Sequence, residues 1–121
     1  MSNAANAYAR TAQQSSSPRD IEAQTLLMAA RKLVEVQSDW KGADKRMHAA
    51  LTFNRRLWTI FMGAAESNDN PQPLEVRQKI INIAIFVMQR TLELQTDPTP
   101  EKIQPLIDIN SNIAAGLAGR P

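Results

Sequence analysis

The run Ile80-Ile81-Asn82-Ile83-Ala84-Ile85-Phe86-Val87-Met88 constrains this chain more than any other feature. A helix carrying it is apolar nearly all round, so other elements must cover it on most sides. Its β-branched residues would also suit a strand. The flanks Glu75 to Lys79 and Gln89 to Glu93 continue a helical pattern, however, and the length decides for a helix opened by Pro73 and reaching about Gln95. This segment is expected to be the central element of the fold. It is the longest apolar stretch, is broken by Asn82, and falls far short of the roughly 20 residues needed to cross a bilayer.

The remaining helices follow from their boundaries. Ser17-Pro18-Arg19-Asp20 supplies a capping serine, a proline for the first helical position and an acid three residues after the cap. A helix from there to about Ser38 places Ile21, Leu26, Leu27, Ala30, Leu33 and Val34 at helical spacings. Asp39-Trp40-Lys41-Gly42 reads as a turn. The next helix starts near Ala43 or Asp44 and carries Met47, Leu51, Asn54, Trp58 and Phe61 at alternating spacings of four and three, a single seam. It ends before the turn formers Ser67-Asn68-Asp69-Asn70-Pro71. Asp97-Pro98-Thr99-Pro100 breaks the chain again, with Pro100 starting one turn. Pro105 is expected to open a last helix over 105–117, with Leu106, Ile109, Ile113 and Leu117 on its apolar face and Gly116 and Gly119 at its end. No strand-hairpin signal or repeat appears. The expected class is all-α, a compact bundle of about four helices plus a short N-terminal helical segment, with short loops that favour antiparallel neighbours. Residues 1–16, where Ala4 to Gln14 has little to bury beyond Tyr8, are expected to be loosely held, and 17–121 to form the domain.

Composition removes whole classes of chemistry. The chain has 121 residues, no cysteine and one histidine, His48. Disulfides, thiolate metal sites, cysteine nucleophiles and multi-histidine metal sites are therefore excluded. Its four glycines, Gly42, Gly63, Gly116 and Gly119, build no phosphate-cradling loop of the G-x-x-x-x-G-K-[ST] or G-x-G-x-x-G type. Asp108-x-Asn110-x-Asn112 opens like a calcium loop, yet Ile113 stands where the turn glycine belongs and Gly119 where the bidentate glutamate belongs. Glu35, Glu66, Glu75 and Glu93 are scattered over polar helix faces, and no Glu-x-x-His pair exists for a di-metal bundle site. A binding protein without catalytic site, cofactor or metal is expected. The N-terminus lacks an apolar signal core and has too few arginines for a transit peptide, so the cytoplasm is the expected compartment.

Phe53-Asn54-Arg55-Arg56-Leu57-Trp58 is the most informative short segment. The formal charge of +2 is small, but Arg31-Lys32, Lys41, Lys45-Arg46 and Arg55-Arg56 make the middle of the chain basic. A solvated face, a protein-contact face and a nucleic-acid face all remain open from charge alone. The aromatics lie mostly on core stripes rather than among the cations, which weighs against nucleic acid. Trp58 reads first as a core anchor. Asn54, the polar member of its seam, either fixes register against a neighbouring helix, bonds backbone elsewhere in the fold, or meets a partner.

Taken together, these segments resemble a known family. Asn6-Ala7-Tyr8-Ala9, Ser17-Pro18-Arg19, Phe53 to Trp58, Ile80 to Val87, Pro105-Leu106-Ile107-Asp108-Ile109-Asn110 and Gly116-Leu117-Ala118-Gly119-Arg120 are similar to the flagellar biosynthesis regulator FlaF of alphaproteobacteria. The resemblance implies a cytoplasmic protein needed for flagellar filament assembly, acting on flagellin alongside the translational regulator FlbT. Flagellin termini are amphipathic helices, and a helix of that kind docks in an apolar groove with a charged rim. The expected contact residues are Asn54, Arg55, Arg56 and Trp58 with Leu106, Asp108, Ile109, Asn110, Ile113 and Leu117 of the last helix. The alternative is a regulator that touches flagellin mRNA through the basic middle helix, and self-association over spare apolar surface is a third possibility.

Overall fold

The computed structural model describes residues 17–119, so the expectation for residues 1–16 lies outside the described residues. Among the described residues there are four long helices and no strand: α1 (Pro18–Ser38), α2 (Asp44–Glu66), α3 (Leu74–Thr96) and α4 (Pro100–Leu117), with a 3-10 turn at Trp40–Gly42. This is the expected all-α bundle. None of these helices is long and apolar enough to cross a membrane.

Local chemistry sets the boundaries. Ser17 Oγ accepts from the Asp20 backbone N–H at 3.1 Å and Asp20 Oδ2 accepts from the Ser17 N–H at 3.4 Å, a reciprocal capping box ahead of Pro18. At the far end of the chain Gly119 takes a φ of +75°, the left-handed turn that stops a helix and that glycine adopts without strain. The α2–α3 connection is tied from both sides. Asn70 Nδ2 donates to the Ala64 carbonyl at 2.8 Å, while Arg77 of α3 donates from Nε to Ala65 O at 2.7 Å and from Nη2 to Ser67 O at 2.8 Å. These bonds fill carbonyls that the end of α2 leaves without intrahelical partners, and they bring a cation to the negative end of its dipole.

α1 packs most extensively on α4, α2 on α3, and α1 also on α2, whereas α3 and α4 touch only sparsely. Ala23 of α1 and Ala114 of α4 are both buried, and such small side chains let two helices approach closely. Leu26, Leu33, Val36, Leu51, Trp58, Val87, Leu94, Ile103 and Leu106 fill one shared core. Each such side chain contributes about 1.5–3 kcal/mol by leaving water. Trp58 meets Phe61 edge to face, with ring centroids 5.3 Å apart.

Three expectations are corrected. α3 is not the central element, because a helix with one close neighbour and one sparse one is covered on only part of its circumference. Ala84, Val87, Thr91 and Leu94 are buried there, while Leu74, Ile85 and Leu92 remain exposed. In α1 the core positions belong to Ala23, Leu26, Ala29, Ala30, Leu33 and Val36, and Ile21, Leu27 and Val34 lie to either side of them, in solvent. Finally, α4 starts at Pro100 and runs through Pro105 without a break. Ile103, Leu106 and Ile107 are buried around that proline, and Gln37 Nε2 of α1 holds the helix start through Pro100 O at 3.1 Å and Gln104 Oε1 at 3.0 Å. Packing thus outweighs the backbone donor that Pro105 lacks.

Candidate functional site

The helical turn of about 100° per residue sorts the Phe53 to Trp58 segment into inner and outer parts. Asn54 and Trp58 point inward and are 0% and 1% exposed, as is Asn110 of α4 at 0%. Trp58 Nε1 donates to Asn110 Oδ1 at 2.9 Å, and Asn110 Nδ2 donates to Asn54 Oδ1 at 2.6 Å. Two helices more than fifty positions apart in sequence are therefore joined by a buried relay of side-chain hydrogen bonds. Of the roles open to Asn54, this is the register-fixing one against a neighbouring helix. The Asn54 amide Nδ2 is left without a partner in this closed packing.

Burial corrects part of the expected contact set. Asn54, Trp58, Leu106 and Asn110 are sealed inside the bundle, and a docking partner cannot reach their side chains without opening it. Ile109, Ile113 and Leu117 are half-buried and pack against the core. Ile113 and Leu117 also line, with Phe61 and Ile80 and above the buried Trp58, a small cleft of about 110 Å³ at the end of the bundle where α1 begins. Asp108 is exposed and accepts from Gln104 Nε2 at 2.9 Å. Arg55 and Arg56 are both exposed, but as adjacent residues they leave the helix about 100° apart and do not form one patch.

Arg56 belongs to a second concavity, which reading the seam alone does not reveal. A shallow groove of about 570 Å³, open to solvent, runs over the outer side of α2 against α1 and is lined by Thr25, His48, Ala49, Thr52, Phe53, Arg56, Leu57 and Ile60. Ile60 is 67% exposed at its wall, one of the most exposed large apolar side chains described. Beside it the Lys32 ammonium of α1 lies 5.4 Å from the centre of the Phe53 ring, a cation–π distance. Ile21 and Met28 continue the apolar surface along α1, both more than two-fifths exposed. The lining holds a guanidinium and an imidazole but no carboxylate. The signal in the sequence was Ile60 itself, an isoleucine lying off the inward seam between Thr59 and Phe61.

No group of three or more acids and histidine that could hold a metal ion occurs among the described residues. The family model for the flagellar protein FlaF matches residues 4–117 of the chain. The chain belongs to the FlaF family. Comparison with curated proteins and with solved structures gives no significant match. FlaF membership implies a role in flagellar biosynthesis, and it spans the capping box, the Asn54–Asn110–Trp58 relay and the α1–α2 groove alike.

Proposed function

We propose that this FlaF protein binds flagellin directly in the cytoplasm, as an export chaperone or adaptor that supports flagellin synthesis, secretion and filament assembly. The observation that carries this reading is the α1–α2 groove: apolar walls from Phe53, Leu57 and Ile60, a cationic edge from Arg56, and no acid in its lining. An amphipathic helix lays its apolar face into such a surface, and acidic residues on the helix flank match the edge. A helical bundle offering an unfilled groove suits a client whose ends are themselves amphipathic helices. A FlbT-type regulator fits as a functional partner acting on the same client.

The mRNA-contact reading has less behind it. Arg46 is ion-paired with Asp39, Lys32 lies over Phe53, and Arg55 and Arg56 diverge, so the basic residues do not line up into one phosphate-tracking face. Size-exclusion chromatography of the purified protein with flagellin monomer tests the proposal. Co-elution is expected at about ten micromolar, the range of a modest helix-in-groove contact. Two independent peaks at tens of micromolar would sink direct binding.

A further inference from the structure

The cleft at the end of the bundle where α1 begins draws on all four helices. Its walls are the half-buried Phe61 of α2, Ile80 of α3, and Ile113 and Leu117 of α4, above Trp58. Glu22 of α1 supplies the one charged group of its lining, and Asn70 and Gln72 of the α2–α3 connection also border it. The Glu22 carboxylate is half-buried, and no cation among the described residues pairs with it. A carboxylate partly withdrawn from water attracts a cation more strongly than an exposed one does. At about 110 Å³ the cleft has room for about one aromatic ring, since an apolar cavity of about 150 Å³ takes a benzene molecule.

Residues 1–16 carry the complement of this cleft. They contain one aromatic side chain, Tyr8, and one charged side chain, Arg10. A tyrosine suits apolar walls with polar groups at hand, because its ring is apolar and its hydroxyl bonds to them. Arg10 brings the charge opposite to that of Glu22. The chain is also long enough. Glu22 stands about 7.5 Å along α1 from Ser17, at 1.5 Å per residue. Tyr8 lies nine positions before Ser17, a stretch that spans about 13 Å when helical and up to about 30 Å when extended. The family match takes in residues 4–16 together with the helices, so the segment bearing Tyr8 belongs to the FlaF length. We propose that this N-terminal segment folds back on the bundle, with the Tyr8 ring in the cleft and Arg10 against Glu22. One ring anchors an otherwise small and polar segment, and it closes the bundle end beside the Trp58–Phe61 pair. The cleft shares no lining residue with the α1–α2 groove, so the docking is independent of flagellin binding.

Nuclear Overhauser spectra of the full chain, with isoleucine and leucine methyls labelled, test the contact directly. Tyr8 is the single tyrosine of the sequence, so its ring signals are unambiguous. Cross-peaks are expected from that ring to methyls of Ile80, Ile113 and Leu117. Tyr8→Ala should shift those methyl resonances and lower the melting temperature by about 4–8 °C, the effect of about 1 kcal/mol in a domain of this size. Tyr8→Phe should keep most of the stability. Arg10→Glu should lower the melting temperature by less, and adding Glu22→Lys should restore part of that loss. The four helices share their own core, so helical circular dichroism should stay unchanged in every variant. A Tyr8 ring without cross-peaks to the cleft overturns the proposal, whether the cleft is then left open or taken by another protein. Cross-peaks found only between differently labelled copies overturn it in favour of an exchange between chains. A Tyr8→Ala variant whose Ile80, Ile113 and Leu117 methyls match those of the parent overturns it as well.

Discussion

Asn110 of α4 donates its side-chain amide to Asn54 of α2 at 2.6 Å while accepting from Trp58 Nε1 at 2.9 Å, with all three residues buried. One amide thereby satisfies a donor and an acceptor on α2, although α4 itself packs mainly on α1. Apolar packing alone is indifferent to small slides of one helix along another. A buried hydrogen-bonded relay is not, because a slide of one turn strands polar groups away from water.

Replacing Asn110 with leucine should therefore be costly although leucine is of similar size. It strips the Trp58 N–H and Asn54 Oδ1 of their buried partner, beside an Asn54 Nδ2 that has none to begin with, at about 1–3 kcal/mol for each newly stranded group. The melting temperature should fall by about 10–20 °C, given about 4–8 °C per kcal/mol for a domain of this size. The double replacement of Asn54 and Asn110 by leucine should recover a large part of that loss, a coupling that thermal unfolding of the four-member cycle would measure. Additive losses would show that the relay contributes little.

Arg77, half-buried at the start of α3, should matter more than a surface cation does. Its two bonds, to Ala65 O and Ser67 O, fasten the start of α3 to the end of α2. Arg77→Ala should cost about 1–2 kcal/mol in urea unfolding, and lysine should not restore it, because an ammonium cannot reproduce two directed guanidinium bonds. An equally stable lysine variant would reduce the clamp to a general charge effect.

Where a local signal and the tertiary packing agree, the elements of this fold are readable from residues alone. Ser17 to Asp20, the turn formers from Ser67 and the Met47–Phe61 seam all lie where their chemistry places them. Disagreements arise where the deciding term is non-local. Ala23, Ala29 and Ala30 occupy the α1 core because α4 comes close, and nothing within α1 ranks alanine above Ile21 or Val34. The apolar run of α3 implied cover on most sides, but how many neighbours a helix receives is a property of the bundle. The candidate site divides the same way. The inward roles of Asn54 and Trp58 follow from their seam, whereas the groove needs Thr25 of α1 beside Ile60 of α2, a proximity that no spacing encodes.

Pro105 gives that conflict a measurable size. It sits inside α4, where a residue with an N–H would donate to the carbonyl of Glu101, four positions back. Pro105→Ala should stabilise the protein by about 1–2 kcal/mol. The gain is the helix-interior penalty of about 3 kcal/mol, reduced by the added freedom of the unfolded chain and by the position near the helix start. The denaturation midpoint should rise at unchanged slope. A lower midpoint would mean that the proline ring packs well enough to outweigh its missing donor.

The two adjacent arginines separate the groove from general charge. Arg56 lines it and Arg55 does not. If flagellin lies in the groove with acidic residues toward its edge, Arg56→Glu should weaken binding by about tenfold or more, the effect of about 1.4 kcal/mol. Arg55→Glu makes the same change in net charge and should alter affinity only slightly, through weak long-range steering that salt removes. Ile60→Asp should match or exceed the Arg56 effect, because it places a carboxylate in the apolar wall. All three positions are exposed, so stability should stay within about 0.5 kcal/mol of the parent. Calorimetric titration of the three variants with flagellin monomer would distinguish the outcomes. Equal losses from both arginines would point to diffuse attraction, and an unaffected Ile60 variant would move the client off this groove.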